Sequence, residues 1–172
     1  IGLSEIEIYG EESDIEAAEN KNHVNAAGVT AEASTTEASS LPVSNIKDGN
    51  NQTRWASDYS EASKQTVTVT FPKVTLVKEL DFDLHTRDVA PMPSNVKSFD
   101  LVYADAAGTE HTVKISNAKS TESGKTGYVT NVQHIFETPV YMKSFKMTNF
   151  DLQIDIEGQN GYNNISILEV RA

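Results

Sequence analysis

The chain has 172 residues, enough for one domain with a full core, and it holds 25 Asp and Glu against 14 Lys and Arg, a formal net charge of -11. That balance argues against nucleic acid and anionic membranes, whose phosphates need clustered Lys and Arg. The absence of cysteine excludes a disulfide framework, a thiolate metal site and a Cys nucleophile.

In chain order, residues 1–10 read as a strand with a stop. Residues 11–27 are acidic, rich in Asn and Ala and poor in large apolar side chains, so they read as a linker. From Val29 onward short β-type runs dominate. Strands are expected over Val29–Thr36, Thr66–Phe71, Glu79–Thr86, Ser98–Tyr103, His111–Ile115, Val132–Phe136, Met142–Thr148 and Ile165–Arg171. Leu80, Phe82 and Leu84 fall on one face, and Asp81, Asp83 and His85 on the other, the former for the core and the latter for solvent. Turn chemistry separates the runs at residues 48–51, 91–95, 105–108, 120–127 and 158–164. The expectation is an all-β protein, an antiparallel β-sandwich over residues 28–172.

Ile1-Gly-Leu-Ser-Glu5-Ile6 echoes Ile165-Ser-Ile-Leu-Glu169-Val170. Residues 1–10 are therefore expected to be the last strand of a preceding copy, joined through the 11–27 linker, as in a tandem array. The N-terminus has neither a charged n-region nor an apolar h-region, so no signal peptide is read here and, if the protein is secreted, its targeting signal is expected upstream.

The stretch Asn45-Ile46-Lys47-Asp48-Gly49-Asn50-Asn51-Gln52-Thr53-Arg54-Trp55-Ala56-Ser57 resembles the signature of the discoidin, or coagulation factor 5/8 type C, family. In that signature an Asp-Gly-Asn turn leads into Thr-Arg-Trp. Val29–Ser34 resembles the family's opening strand and Ile167–Val170 its closing one. The resemblance implies a jelly-roll-like sandwich, and cysteine-free members are most like bacterial carbohydrate-binding modules of family 32. By the same resemblance a structural calcium would take the side chains of Asp48, Thr53 and Glu169 and the backbone carbonyls of Lys47 and Asn50. Independently, the loop offers a carboxylate, a glycine for a sharp turn and a hydroxyl, which suit a hard cation, although its spacing is not that of an EF-hand. An ordinary Asp-capped turn would use the same residues. Trp55, the only Trp, is expected in the core rather than at a sugar.

No Gly-x-Ser-x-Gly elbow, His-Glu-x-x-His helix, P-loop or dinucleotide fingerprint occurs. The chain is expected to be non-catalytic, an accessory to a glycan-active enzyme. His85 and Arg87 lie two apart at a strand end, and so project to one side. In the resembled modules an Arg at this strand end and an Asn in the next loop bind sugar hydroxyls, roles that Arg87 and Asn95 match. Asp58 is a further acceptor, and Tyr59 and Tyr162 are aromatic platforms in polar loops. The expected partner is a glycan with terminal galactose, N-acetylgalactosamine or N-acetylglucosamine, met outside the cell, with neighbouring modules in the same chain. Adhesion to a protein or membrane surface, or a spacer role, are the alternatives. The sequons Asn51-Gln52-Thr53 and Asn164-Ile165-Ser166 sit in or beside the expected cation site, which favours a bacterial source.

Overall fold

The computed structural model describes residues 22–86, 94–120, 128–156, 159–160 and 163–172, with backbone alone at 155–156 and 159–160. The strands are β1 (Thr30–Ala33), β2 (Trp55–Ala56), β3 (Val67–His85), β4 (Asn95–Ala104), β5 (Glu110–Ser116), β6 (Val129–Gln153), β7 (Asp155–Ile156), β8 (Gln159–Asn160) and β9 (Ser166–Arg171). Two 3-10 turns, Val43–Lys47 and Ala62–Lys64, interrupt them. The main sheet runs β2-β9-β3-β6-β4-β5, with β1 on β3, and its pairings are antiparallel.

Two pairs of expected strands are single bent ones. Thr66–Phe71 and Glu79–Thr86 are the two halves of β3, and Val132–Phe136 and Met142–Thr148 lie within β6. Neither Pro72 nor Pro139, which cannot donate to a ladder, ends its strand. Instead the β3–β6 register shifts between Thr70 and Thr75 and between Val77 and Glu79. The prolines sit at those irregularities, where no ladder bond is lost, and the bulges bend both strands. One half of β3 then pairs with β1, and the other with β9. A continuous sheet thereby folds into the two faces of an antiparallel β-sandwich.

The core lies between those faces. Leu80, Phe82 and Leu84 are fully buried, as their alternation predicts, with Val67, Val69, Phe99, Leu101, Met147, Ile167 and Val170. The Phe82 ring meets Phe99 edge-on at 5.0 Å. Trp55 is also fully buried, and its Nε1–H donates to the Thr35 carbonyl at 3.1 Å.

The opposite face of β3 is less open than its charges suggest. Arg171 Nη1 lies 2.7 Å from Asp83 Oδ2, and Asn131 Nδ2 donates to Asp83 Oδ1 at 2.8 Å. Burial pushes the Asp83 carboxyl up, but Arg171 and Asn131 outweigh it and hold the group below its ordinary value.

Residues 1–21 lie outside the described residues, and with them the expected preceding strand and most of the linker. The last part of that linker is packed. Val24 is fully buried, the His23 N–H donates to the Ala172 carbonyl at 2.9 Å, and Asn22 Oδ1 accepts from the Ala172 N–H at 3.2 Å. The sandwich therefore includes residues 22–27, ahead of the expected boundary at 28. One buried valine among small and polar residues gives no periodic signal.

Candidate functional site

Two polar clusters lie along β9, one at its start and one in its middle. The middle cluster begins with the turn Val43–Lys47, which Ile46 anchors in the core. The chain then reverses through Gly49 at φ +74, a left-handed conformation that other residues adopt only with strain. The reversal brings Asp48 and Thr53 together. Asp48 Oδ1 accepts from the Asn50 N–H and Asp48 Oδ2 from the Thr53 hydroxyl, both at 2.8 Å. Thr53 Oγ1 also lies 2.8 Å from the Asn50 carbonyl. A hydroxyl has one proton, so it serves one of these oxygens at a time.

Glu169 faces this loop from β9. It is 3% exposed, and its Oε2 has no hydrogen-bond partner. Burial pushes its carboxyl up to about 7; the Gly49 N–H opposes the shift, the Asp48 charge adds to it, and Arg171 and Asn25 oppose it more weakly. With its nitrogen turned inward, the Asn25 amide donates to Glu169 Oε1 at 3.1 Å and to the Lys47 carbonyl at 3.3 Å. All five expected ligand positions, Lys47, Asp48, Asn50, Thr53 and Glu169, thus gather on one loop and one strand. Asn25 joins them from the segment expected to be linker; no spacing rule ties it to residues 47–53.

The donor set fits a hard divalent cation. It consists of carboxylates, carbonyls and a hydroxyl, the oxygen donors that calcium prefers. Among the described residues there is no group of three or more His, Cys, Asp or Glu side chains that could hold a metal. A buried carboxylate oxygen without a partner, beside a second carboxylate, is costly unless positive charge is supplied.

The second cluster is a rim where strand ends meet. Ser57 and Ile165 lock β2 to β9: the Ser57 N–H donates to the Ile165 carbonyl, and the Ile165 N–H to Ser57 Oγ, both at 2.9 Å. Asn164 is 1% exposed and donates to the Ser57 carbonyl; Ser94 Oγ donates to the Asn164 carbonyl at 2.9 Å. Glu37 ties in from the opening segment, with its Oε2 at 3.5 Å from Asn164 Nδ2 and its Oε1 accepting from the Tyr59 hydroxyl.

The expected sugar contacts divide among these surroundings. His85 was expected to project outward, but it is 7% exposed and its Nδ1 lies 3.3 Å from Ser166 Oγ. The sheet continues past it: Val129 pairs with it, and the Thr86 N–H donates to the Tyr128 carbonyl at 2.8 Å. Asn95 was expected in a loop; it opens β4, paired with Gln153, and is 1% exposed. Asp58 is held by Ser60, whose hydroxyl and N–H keep its carboxyl below the ordinary value. Tyr59 is half-exposed. Arg87 and Tyr162 lie outside the described residues. Beyond the expected set, the rim includes Glu37, Asn164, Ser166 and the exposed Tyr128. Only the Asn164 and Ser166 positions carried a sequence signal, as part of a sequon, and that signal concerned glycosylation.

Solved structures with this fold include several sugar-binding modules. The family 32 carbohydrate-binding module of C. perfringens NanJ, in complex with galactose, has a TM-score of 0.58 at 21% identity, covering 83% of this chain and 90% of that one. CpGH89CBM32-5 of Clostridium perfringens, in complex with GalNAc-β-1,3-galactose, has a TM-score of 0.55 at 13% identity, covering 83% and 93%. Chitosan-binding module 1 from a chitosanase/glucanase of Paenibacillus sp. IK-5 has a TM-score of 0.52 at 20% identity, covering 83% and 92%. These likenesses establish the fold. A search of curated proteins returns no match. The family model for the F5/8 type C domain matches residues 30–170, from the start of β1 into β9, and the chain belongs to that family.

Proposed function

We propose that the chain is a non-catalytic carbohydrate-binding module that takes terminal galactose-type or N-acetylhexosamine sugars at the rim and directs an attached glycan-active enzyme to them, outside the cell. The observation that carries this reading is the rim itself. Strand ends of β2, β3, β4 and β9 bring His85, Asn95, Asp58 and Asn164 to one end of the sandwich on a hydrogen-bonded floor. Rigid polar groups beside an aromatic are what a neutral sugar requires. The two Clostridium perfringens modules of the same fold were solved with galactose and with GalNAc-β-1,3-galactose. Arg87 follows directly on Thr86, and its guanidinium fork suits the axial hydroxyl of a galactose-type ring. Tyr162 and Tyr59 supply the apolar platform.

The middle cluster would hold calcium through Asp48, Thr53 and Glu169 with the Lys47 and Asn50 carbonyls. The ion would neutralise the buried carboxylate and fix the loop from which β2 leaves. Because β2 carries Trp55 into the core and Ser57 to the rim, a fixed loop helps to fix the rim. This role is structural and supplies no chemistry to a bound sugar.

A shallow site of this kind binds with Kd on the order of 0.1–1 mM, or roughly 4–5.5 kcal/mol. A glycan array on the chain, followed by titration of Arg87→Ala, tests the assignment. Loss of one charge-assisted hydrogen bond costs roughly 1.5–3 kcal/mol, enough to remove detectable binding while the fold persists. Undiminished binding by the variant would place the site elsewhere. A silent array would turn the reading toward adhesion or spacing.

A further inference from the structure

The Asn25 side chain has the surroundings of a two-state group. One of its amide atoms lies 3.1 Å from Glu169 Oε1 and 3.3 Å from the Lys47 carbonyl oxygen. As nitrogen it donates to both. As oxygen it would make a third oxygen converging on the same point, the kind of donor set that a hard cation takes. Exchange between the two needs a turn of about 180° around the last side-chain torsion, which is broad and two-fold in Asn.

Asn22 can donate to Asn25 in either orientation, but with the Asn25 nitrogen inward the two NH2 groups also face each other at 2.9 Å, which favours the inward oxygen. The Asn22 Oδ1 accepts from the Val24 N–H at 3.1 Å and the Ala172 N–H at 3.2 Å, which turns its NH2 group toward Asn25. That nitrogen lies 2.9 Å from the inner amide atom of Asn25 and 3.2 Å from the outer one. It can therefore donate to the Asn25 oxygen whichever way the amide points. Gly49 leaves the space: a Cβ at that position would sit 2.9 Å from the Asn25 amide. Glu169, 3% exposed with an unpartnered Oε2, is the independent sign that a positive group belongs here.

We propose that Asn25 is a further ligand of the cation site, its amide nitrogen standing in for the cation when the site is empty and its Oδ1 turning inward to bind the cation when it arrives. The proposal rests on the calcium reading above. It makes the opening segment part of the site, so that cation binding clamps residues 22–28 onto the Lys47–Thr53 loop and the end of β9.

The test is calcium titration by calorimetry on the whole chain and on Asn25→Ala and Asn25→Asp, with folding checked by near-ultraviolet circular dichroism. Asn25→Ala should weaken calcium binding at least about tenfold, as loss of a supporting metal contact does. Asn25→Asp should bind at least as tightly as the parent chain yet melt below it in chelator, because a third carboxylate then joins Glu169 and Asp48 without the amide N–H. Unchanged affinity in Asn25→Ala overturns the proposal. So does Asn25→Asp binding as weakly as Asn25→Ala, the pattern of a packing role. Should Asn25→Ala fail to fold, Asn25→Asp alone decides. A parent chain that takes up no calcium, with no heat and no shift in melting, overturns the calcium reading itself and this proposal with it.

Discussion

The rim and the loop cluster stand three residues apart on β9, at Ser166 and Glu169, a separation of about 10 Å at strand rise. Both are polar, and Ser166 and Glu169 are buried while Asp48 and Asn50 are exposed, so the two differ in how a buried polar group is met. At the rim, Ser57, Asn164, Ser94 and Ser166 bond to one another and to main chain, and the groups are neutral apart from Glu37 and Asp58. At the loop, a carboxylate is buried with one oxygen unpartnered and a second carboxylate nearby. An interior tolerates a satisfied neutral network at little cost, but an unpaired charge strains it. The rim also leaves a buried atom without a partner, Asn164 Oδ1, but that group is neutral and costs less than an unpaired carboxylate. On the calcium reading proposed above, the loop would be completed by a cation. On the proposed reading, the contrast in charge assigns stability to the loop cluster and recognition to the rim.

The largest expected effect comes from cutting the segment that closes the loop cluster. A chain beginning at Gly28 loses Val24, fully buried, with Asn22, His23 and Asn25. Burial of one valine contributes roughly 1.5–3 kcal/mol, and the loss of the His23 and Asn22 hydrogen bonds to Ala172 adds to that. Thermal melting of this chain against one beginning at Lys21 should show a clear drop in Tm and a loss of calcium response. Equal melting of the two would mean that the segment only decorates the sandwich.

Chelation should act next. At a hundredfold excess over Kd, a ligand specific to the native state adds about 2.7 kcal/mol, so excess chelator should lower the Tm by several degrees and Asp48→Ala should mimic it. An unchanged melt with no metal by elemental analysis would erase the distinction between the clusters. The chelated chain should also show a pH signature. Glu169 is raised to about 7 in the folded chain from an ordinary 4.5, so the native state holds a proton that the unfolded state has released. Stability of the metal-free chain should therefore fall as pH rises from 4.5 through about 7, and calcium should remove that fall. Denaturant midpoints at several pH values, with and without calcium, check the sign; Glu169→Gln should flatten the metal-free trend.

Gly49→Ala sharpens the contrast with the smallest change. A left-handed residue with a Cβ costs roughly 1–2 kcal/mol, and this Cβ would press on Asn25. Calcium affinity should fall, while sugar binding at saturating calcium, read by titration with galactose, should hold. Loss of both together would mean that the loop and rim behave as one site.

Much of this was legible in the residues. The Asp48-Gly49-Asn50 turn followed by Thr53 and Trp55 announces a tight loop entering a core strand, and the loop and the buried Trp55 are where that pattern places them. The alternation of Leu80, Phe82 and Leu84 fixes a buried face, because side chains in a strand alternate whatever the rest of the fold does. The acidic composition argues against nucleic-acid and anionic-membrane partners. Local pattern could not show that Pro72 and Pro139 lie in bends of continuous strands, since a bulge and a chain break look alike until a partner strand is seen. Nor could it show that His85 turns inward to Ser166, or that Asn25 reaches Glu169. Those contacts join residues 81 and 144 positions apart. Sequence periodicity reports which face a side chain takes on its own strand, whereas the groups it meets are decided by which strands pair, and only the folded sheet settles that.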